Sequence, residues 1–142
     1  MDCVFCSILA GELPASLVYQ DEIAYAFLDI QPINPGHTLV IPREHAGGLR
    51  NLPAETAGHL MRAAQKVAAG LYRSELSPSG VNLLLADGVS AGQDVFHAHL
   101  HVIPRHEGDG FGFTYPDGYR RRPAREQLDE IAGLLAQSIG AA

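Results

Sequence analysis

The sequence predicts an α+β domain: an antiparallel sheet of about five strands with two main helices. Three observations predict it. Five short apolar segments are bounded by glycine, proline and aspartate, the residues that end strands. Two longer segments repeat their apolar residues at helical spacing. The order is strands, helix, strands, helix, with short connections between most neighbouring strands, so the strands run antiparallel and the helices cover one face.

In chain order, SLVYQ (16–20) and IAYAFLD (23–29) are two strands around Asp21 and Glu22, a hairpin. QPINPGH (31–37) carries two prolines and a glycine and is a loop. HTLVIP (37–42) is a third strand, stopped by Pro42. In residues 53–72, Leu60, Ala64, Val67, Ala68 and Leu71 recur at helical spacing, with Asn51 as a possible cap and Pro53 in the first turn. Should that helix expose a continuous apolar face, it is the natural interface for a second copy. GVNLLLAD (80–87) is a fourth strand, DGVSAGQD (87–94) a glycine-rich loop, and VFHAHLHVIP (95–104) a fifth strand. Residues 108–123 are loop-like, and 124–138 form a helix with Leu128, Ile131, Leu134 and Leu135 on one face. A length of 142 residues fits one domain, 1–142, in which 108–142 is a less regular C-terminal loop and helix.

With 46% hydrophobic and 18% charged residues, the composition is that of a soluble globular protein. The net charge of −6 argues against non-specific binding to nucleic acid, whose phosphates require a positive surface. No apolar run is long enough to span a membrane, and MDCVFCSILAGEL is not a secretory leader. A cytoplasmic protein with reduced cysteines is the expectation.

Three of the seven histidines, His97, His99 and His101, occupy alternate positions of the fifth segment. On a strand they would stand in a row on one face, with Ala98, Leu100 and Val102 facing the core. Imidazole serves as nucleophile, acid, base or metal ligand near neutral pH. The glycine-rich loop runs directly into this strand, and its backbone N–H groups are expected to form an anion site. Histidines beside a bound anion point to phosphoryl or nucleotidyl transfer. His37, behind Pro35 and Gly36, reads as a hydrogen-bonded structural histidine.

GQDVFHAHLHVIPR resembles the signature of the histidine triad (HIT) family, His-φ-His-φ-His-φ-φ with φ apolar. GHTLVIPREH and CVFCSILAGELPA also resemble segments of that family, and the likeness is greatest to its bacterial Hint-like branch. The resemblance implies a HIT-like α+β fold, a homodimer, and a hydrolase or transferase acting at the α-phosphate of a purine nucleotide derivative. The substrate would be a nucleoside phosphoramidate or a dinucleoside polyphosphate. It also assigns roles. His99 is the nucleophile and forms a nucleotidyl-imidazole intermediate, the backbone carbonyl of His97 orients it, and His101 binds the phosphate. Gly92 and Gln93 lie beside the phosphate, and Asp29 accepts from the ribose hydroxyls. Phe5, Ile8, Phe27, Ile30 and Leu39 surround the purine. No catalytic metal is required. Two positions depart from the pattern: Ala86, where relatives carry an amide side chain, and Asp94, where many carry a hydroxyl. They keep open a nucleotide-binding regulatory module with weak or no catalysis.

Cys3 and Cys6 form a CxxC. A redox pair would sit at the opening of a helix in a βαβ unit, a pattern not found in the strand order. The remaining readings are a zinc site and two small buried thiols at an N-terminal strand or turn. The resemblance completes the first with His45, of the IPREH segment, and His97, giving a structural zinc held by two cysteines and two histidines. A zinc-stabilised interaction protein, with the other histidines incidental, is the third functional class.

Overall fold

Strands β1 (Leu17–Gln20), β2 (Ala24–Leu28), β3 (Thr38–Pro42), β4 (Gly80–Leu84) and β5 (Leu100–Arg105) form one sheet in the order β1-β2-β3-β5-β4 in a computed structural model. The structure describes residues 2–141. Every pairing is antiparallel, as expected from the short connections. The chain divides into two compact units, one ending at Phe111 and one beginning at Gly112. No helix among the described residues is long and apolar enough to cross a membrane.

In the first unit, helix α2 (Ala54–Arg73) lies on one face of the sheet and buries Leu60, Ala63, Ala64, Val67 and Leu71. They pack with Ala24, Ala26, Val40, Leu100 and Val102 from β2, β3 and β5. The apolar face of α2 read from the sequence is therefore packed within the unit, while Met61 and Tyr72 of the same helix are exposed. The opposite face of the sheet carries Phe27, Leu39 and Ile41, covered by Cys3 and Phe5. Phe5 belongs to helix α1 (Val4–Leu9) and Cys3 is its N-cap, where one reading of the cysteines had a strand or turn. The Cys3 sulfur accepts from Cys6 N–H at 3.4 Å and caps it.

The fifth strand begins at Leu100, five residues later than expected. Residues 95–99 are irregular, and Ala98 N–H bonds Ala46 O at 2.7 Å instead of a sheet neighbour. The other end of β5 is pinned by Arg105, whose Nε and Nη2 donate to Asp109 Oδ2 and Oδ1, both at 2.8 Å. The second unit contains helix α3 (Arg125–Gly140), with Leu128, Ile131, Leu134 and Leu135 all exposed.

Candidate functional site

A cavity of about 250 Å³ opens on the α1 side of the sheet. Phe5 and Ile8 of α1, Phe27 of β2, Leu39 of β3 and the fully exposed Ile30 form its apolar wall. Asp29, Asp94, His99 and His101 are its titratable groups. The sequence-predicted aromatic and aliphatic residues are thus brought together with two of the three histidines. Val4, Gln31 and Val95 also line it and had no distinguishing sequence signal. A second cavity of about 330 Å³ lies between α2 and the hairpin, but no histidine, cysteine or carboxylate lines it.

The His99 and His101 rings are neighbours, with centroids 5.0 Å apart, and Phe5 touches both His97 and His99, but the row is only partly in the sheet. His97 and His99 precede β5, and only His101 lies within it, opposite Leu39 of β3. Each then has a different hydrogen-bond partner. His99 is 4% exposed, and its Nδ1–H donates to the carbonyl of His97 at 2.8 Å. That bond leaves the lone pair on Nε2, the atom a nucleophile needs. The edge of the Phe5 ring flanks the imidazole, with centroids 5.2 Å apart.

His101 is held by a chain of bonds whose direction is fixed by its first member. Ile33 N–H donates to His37 Nδ1 at 3.1 Å, so the proton of His37 is on Nε2. His37 Nε2–H then donates to His101 Nδ1 at 2.9 Å. His101 must carry its own proton on Nε2, a donor suited to a phosphate oxygen. Burial first, then the neighbouring His99 and His37, pull the pKa of His101 from 6.5 down to about 4. Burial also lowers that of His37, against the pull of Asp29. Both rings are neutral at pH 7, which the chain of bonds requires. His37, read from sequence as structural, therefore sets the tautomer of a site residue.

Asp29 follows β2. Its Oδ1 accepts Gln31 N–H at 2.8 Å, and Oδ2 lies 3.6 Å from His37 Nε2. Asp94 is 84% exposed, with Oδ1 3.7 Å from His99 Nε2. Ala86 is buried and outside the cavity lining. Gly92 and Gln93 are also outside it. The Gln93 side chain holds the loop together: Oε1 accepts Gly88 N–H at 2.8 Å, and Nε2 donates to Gly47 O and Val95 O at 2.7 and 3.0 Å. The expected backbone anion cradle has a different arrangement. The N–H groups of Ala91, Gly92 and Gln93 bond Gly88 O, Val89 O and Gly88 O within the loop. Gly88 and Gly92 adopt φ of +103° and +91°, which turn the chain back on itself.

A second cluster joins Cys3, Cys6, His45 and His97. His97 is fully buried and its Nε2–H donates to Pro42 O at 2.8 Å, so its Nδ1 lone pair faces the cluster. That atom lies 3.4 Å from Cys3 Sγ, 3.6 Å from Cys6 Sγ and 3.1 Å from His45 Nδ1, and Cys6 Sγ lies 3.4 Å from His45 Nδ1. A tetrahedral zinc would separate its sulfur and nitrogen ligands by about 3.6 Å and its nitrogens by about 3.3 Å. The donor set and its spacing fit zinc. Burial, with the adjacent Cys3, raises the pKa of Cys6, so a cation is what would make that thiol a thiolate.

The chain is 43% identical over 141 residues to Protein hit of Bacillus subtilis, covering 96% of this chain and 97% of that one. It is 37% identical over 138 residues to the adenylylsulfatase HINT3 of Arabidopsis thaliana, covering 97% and 68%. Among solved structures, a HIT family protein of Bacillus anthracis superposes with a TM-score of 0.88 at 43% identity, covering 96% of both chains. A Zn-bound histidine triad family protein of Mycobacterium smegmatis gives 0.76 at 41% identity, covering 100% and 99%. A histidine triad nucleotide-binding protein of Candida albicans gives 0.86 at 29% identity, covering 99% of both. The HIT domain model matches residues 10–108, a span that includes all three histidines of the motif, and the chain belongs to the histidine triad (HIT) family.

Proposed function

We propose that the protein is a nucleotide hydrolase that acts at the α-phosphate of purine nucleotide derivatives through a nucleotidyl-His99 intermediate. The observation that carries the reading is the fixed tautomer of His99. Its Nδ1–H is committed to the His97 carbonyl at 2.8 Å, and Nε2 faces a cavity that also holds His101. The Nε2 lone pair attacks phosphorus, the bond to the leaving group breaks, and that group departs with the bonding pair and takes up a proton from solvent, which the attacking water of the second step returns. The charge then placed on the imidazole is stabilised by the carbonyl on Nδ1–H, while His101 Nε2–H donates to the phosphate oxygens. Water next attacks phosphorus, releases the nucleoside monophosphate and restores Nε2. Phe5, Ile8, Phe27, Ile30 and Leu39 would hold the base, and Asp29 Oδ2 would accept from the ribose hydroxyls. Gly92 and Gln93 would act through the shape of the loop that carries Asp94.

The name of the Candida nucleotide-binding protein supports a nucleotide ligand, and that of the Arabidopsis adenylylsulfatase an adenylyl group. Cys3, Cys6, His45 and His97 would hold a zinc ion, which supplies structural cross-linking and takes no part in the reaction. A cytoplasmic homodimer belongs to the same proposal.

The test is hydrolysis of an adenosine phosphoramidate and a diadenosine polyphosphate by wild type and His99→Ala, with intact mass of the protein. Turnover and a nucleotidyl adduct that both vanish in the variant support the reading. Tight nucleotide binding with neither would favour a binding module instead, the reading for which the carboxylate of Asp94 beside the nucleophile speaks.

A further inference from the structure

We propose that Asp94 selects substrates by the charge of the leaving group, favouring amines that carry an additional positive charge and rejecting anionic ones. The proposal rests on the hydrolase reading above and adds to it a specificity-determining residue. Three observations carry it. Asp94 Oδ1 lies 3.7 Å from the nucleophilic Nε2 of His99, so its charge is felt where the scissile bond must sit. Among the described residues no lysine or arginine pairs with it, and its side chain is 84% exposed, free to face what lies outside the cavity. The cavity lining contains two aspartates and neither lysine nor arginine.

The base and ribose are accommodated by the apolar wall and Asp29, on the inner side of the phosphate. In-line attack sends the leaving group away from His99 Nε2 towards solvent, and the exposed carboxylate of Asp94, 3.7 Å from that atom, is a charge of the lining within reach of the reacting centre. A phosphate chain there would bring several negative charges near an unpaired carboxylate with no cation to offset them. A neutral alkylamine meets no such penalty, and an amine with a distal ammonium is attracted. One unit charge about 5–7 Å from an exposed carboxylate changes the rate about threefold to tenfold at effective dielectric constants between those of a protein surface and water.

The experiment varies the distal charge on a three-carbon amine, and the Asp94 variants separate its effect from the basicity of the leaving nitrogen. Adenosine 5′-phosphoramidates of 1,3-diaminopropane, propylamine and β-alanine share the same P–N bond and differ in a distal cation, neutral group or anion. Their kcat/KM is measured with wild type, Asp94→Asn and Asp94→Glu. The wild type is expected to rank them cation, neutral, anion, with about threefold to tenfold between steps. Asp94→Asn should compress the series to within about twofold, mainly by gaining on the anion, and Asp94→Glu should keep the order. An exposed side chain without hydrogen bonds leaves folding unaffected, which thermal melting of both variants verifies. A flat wild-type series, or one that survives Asp94→Asn, overturns the charge filter while leaving the hydrolase intact. No turnover of any of the three amidates by a wild type that cleaves a diadenosine polyphosphate overturns the filter and leaves the hydrolase, and no turnover of either class of substrate overturns both.

Discussion

Removing the zinc proposed for the Cys3, Cys6, His45 and His97 cluster should undock α1 before it unfolds the sheet. Helix α1 has six residues, too few to be stable alone. Ordering six residues costs about 6–12 kcal/mol at about 1–2 kcal/mol each. Its main buried anchor is Phe5, 6% exposed, whose burial returns only about 2–3 kcal/mol. Cys6, Ile8 and Leu9 are partly buried and add less each. The balance for α1 is near zero or negative without the metal. A ligand present at a hundred times its Kd adds about 2.7 kcal/mol, which corresponds to a Tm change of roughly 5–10 °C for a chain of this size. The assay is hydrogen exchange on residues 4–9 together with thermal melting, before and after chelation, with zinc content measured on the same samples. The expected result is faster exchange confined first to α1, a lower Tm, and a raised KM as Phe5 leaves the flank of His99. Unchanged exchange in α1 of protein verified as metal-free would refute the reasoning.

Three other predictions follow from single contacts. His37→Phe removes the donor that fixes the His101 tautomer and leaves Ile33 N–H without its acceptor; we expect about a tenfold loss in kcat and about 1–3 kcal/mol of stability, and unchanged kcat would show that His101 needs no orienting partner. Gly48→Ala would place a Cβ 2.3 Å from Asp87 Oδ1, the acceptor of Leu49 N–H at 2.9 Å; displacing that carboxylate should cost about 1–3 kcal/mol in denaturant unfolding, and a wild-type midpoint would contradict it. His101 is neutral in the folded state and charges more readily when unfolded, so the unfolded chain binds more protons and stability falls as pH drops from 6.5 towards about 4. The gap corresponds to at most about 3 kcal/mol, reduced by solvent screening to about 1–2 kcal/mol. His101→Gln should flatten the Tm profile over that range, and superimposable profiles would remove His101 as the cause.

Much of the sheet was legible because its strands are bounded by residues that stop strands. Pro42, the Asp21–Glu22 turn and Gly80 mark edges that the structure reproduces within a residue or so. The apolar spacing of Leu60, Ala64, Val67 and Leu71 located α2 for the same reason. The start of β5 was not legible, since VFHAHLHVIP alternates throughout. What withdraws residues 95–99 from the sheet is tertiary: Ala98 bonds Ala46, and His97 turns to Pro42 and the cysteines. Helix α1 left a fainter signal, with Phe5, Ile8 and Leu9 at helical spacing and Gly11 at φ +78° beyond its end. The CxxC drew attention to chemistry at a place where Cys3 also caps a helix. His37 could be singled out as buried and bonded but not joined to His101, because the two are 64 positions apart and meet only through the β3–β5 pairing.

The late start of β5 bears on which insertions and deletions the chain can absorb. Leu39 faces His101 and Thr38 faces Val102 in the β3–β5 register. One residue gained or lost in β5 ahead of His101 would turn His101 towards α2 and bring Val102 to the cavity, a change of identity at the site. A protein altered in this way could remain folded and lose its chemistry. The stretch 88–96, held by turns and the Gln93 side chain in place of a ladder, has no such parity to respect. Length variation among functional homologues should therefore accumulate before His97 and be absent between His97 and Arg105, where the spacing of the chain is itself the address of each imidazole.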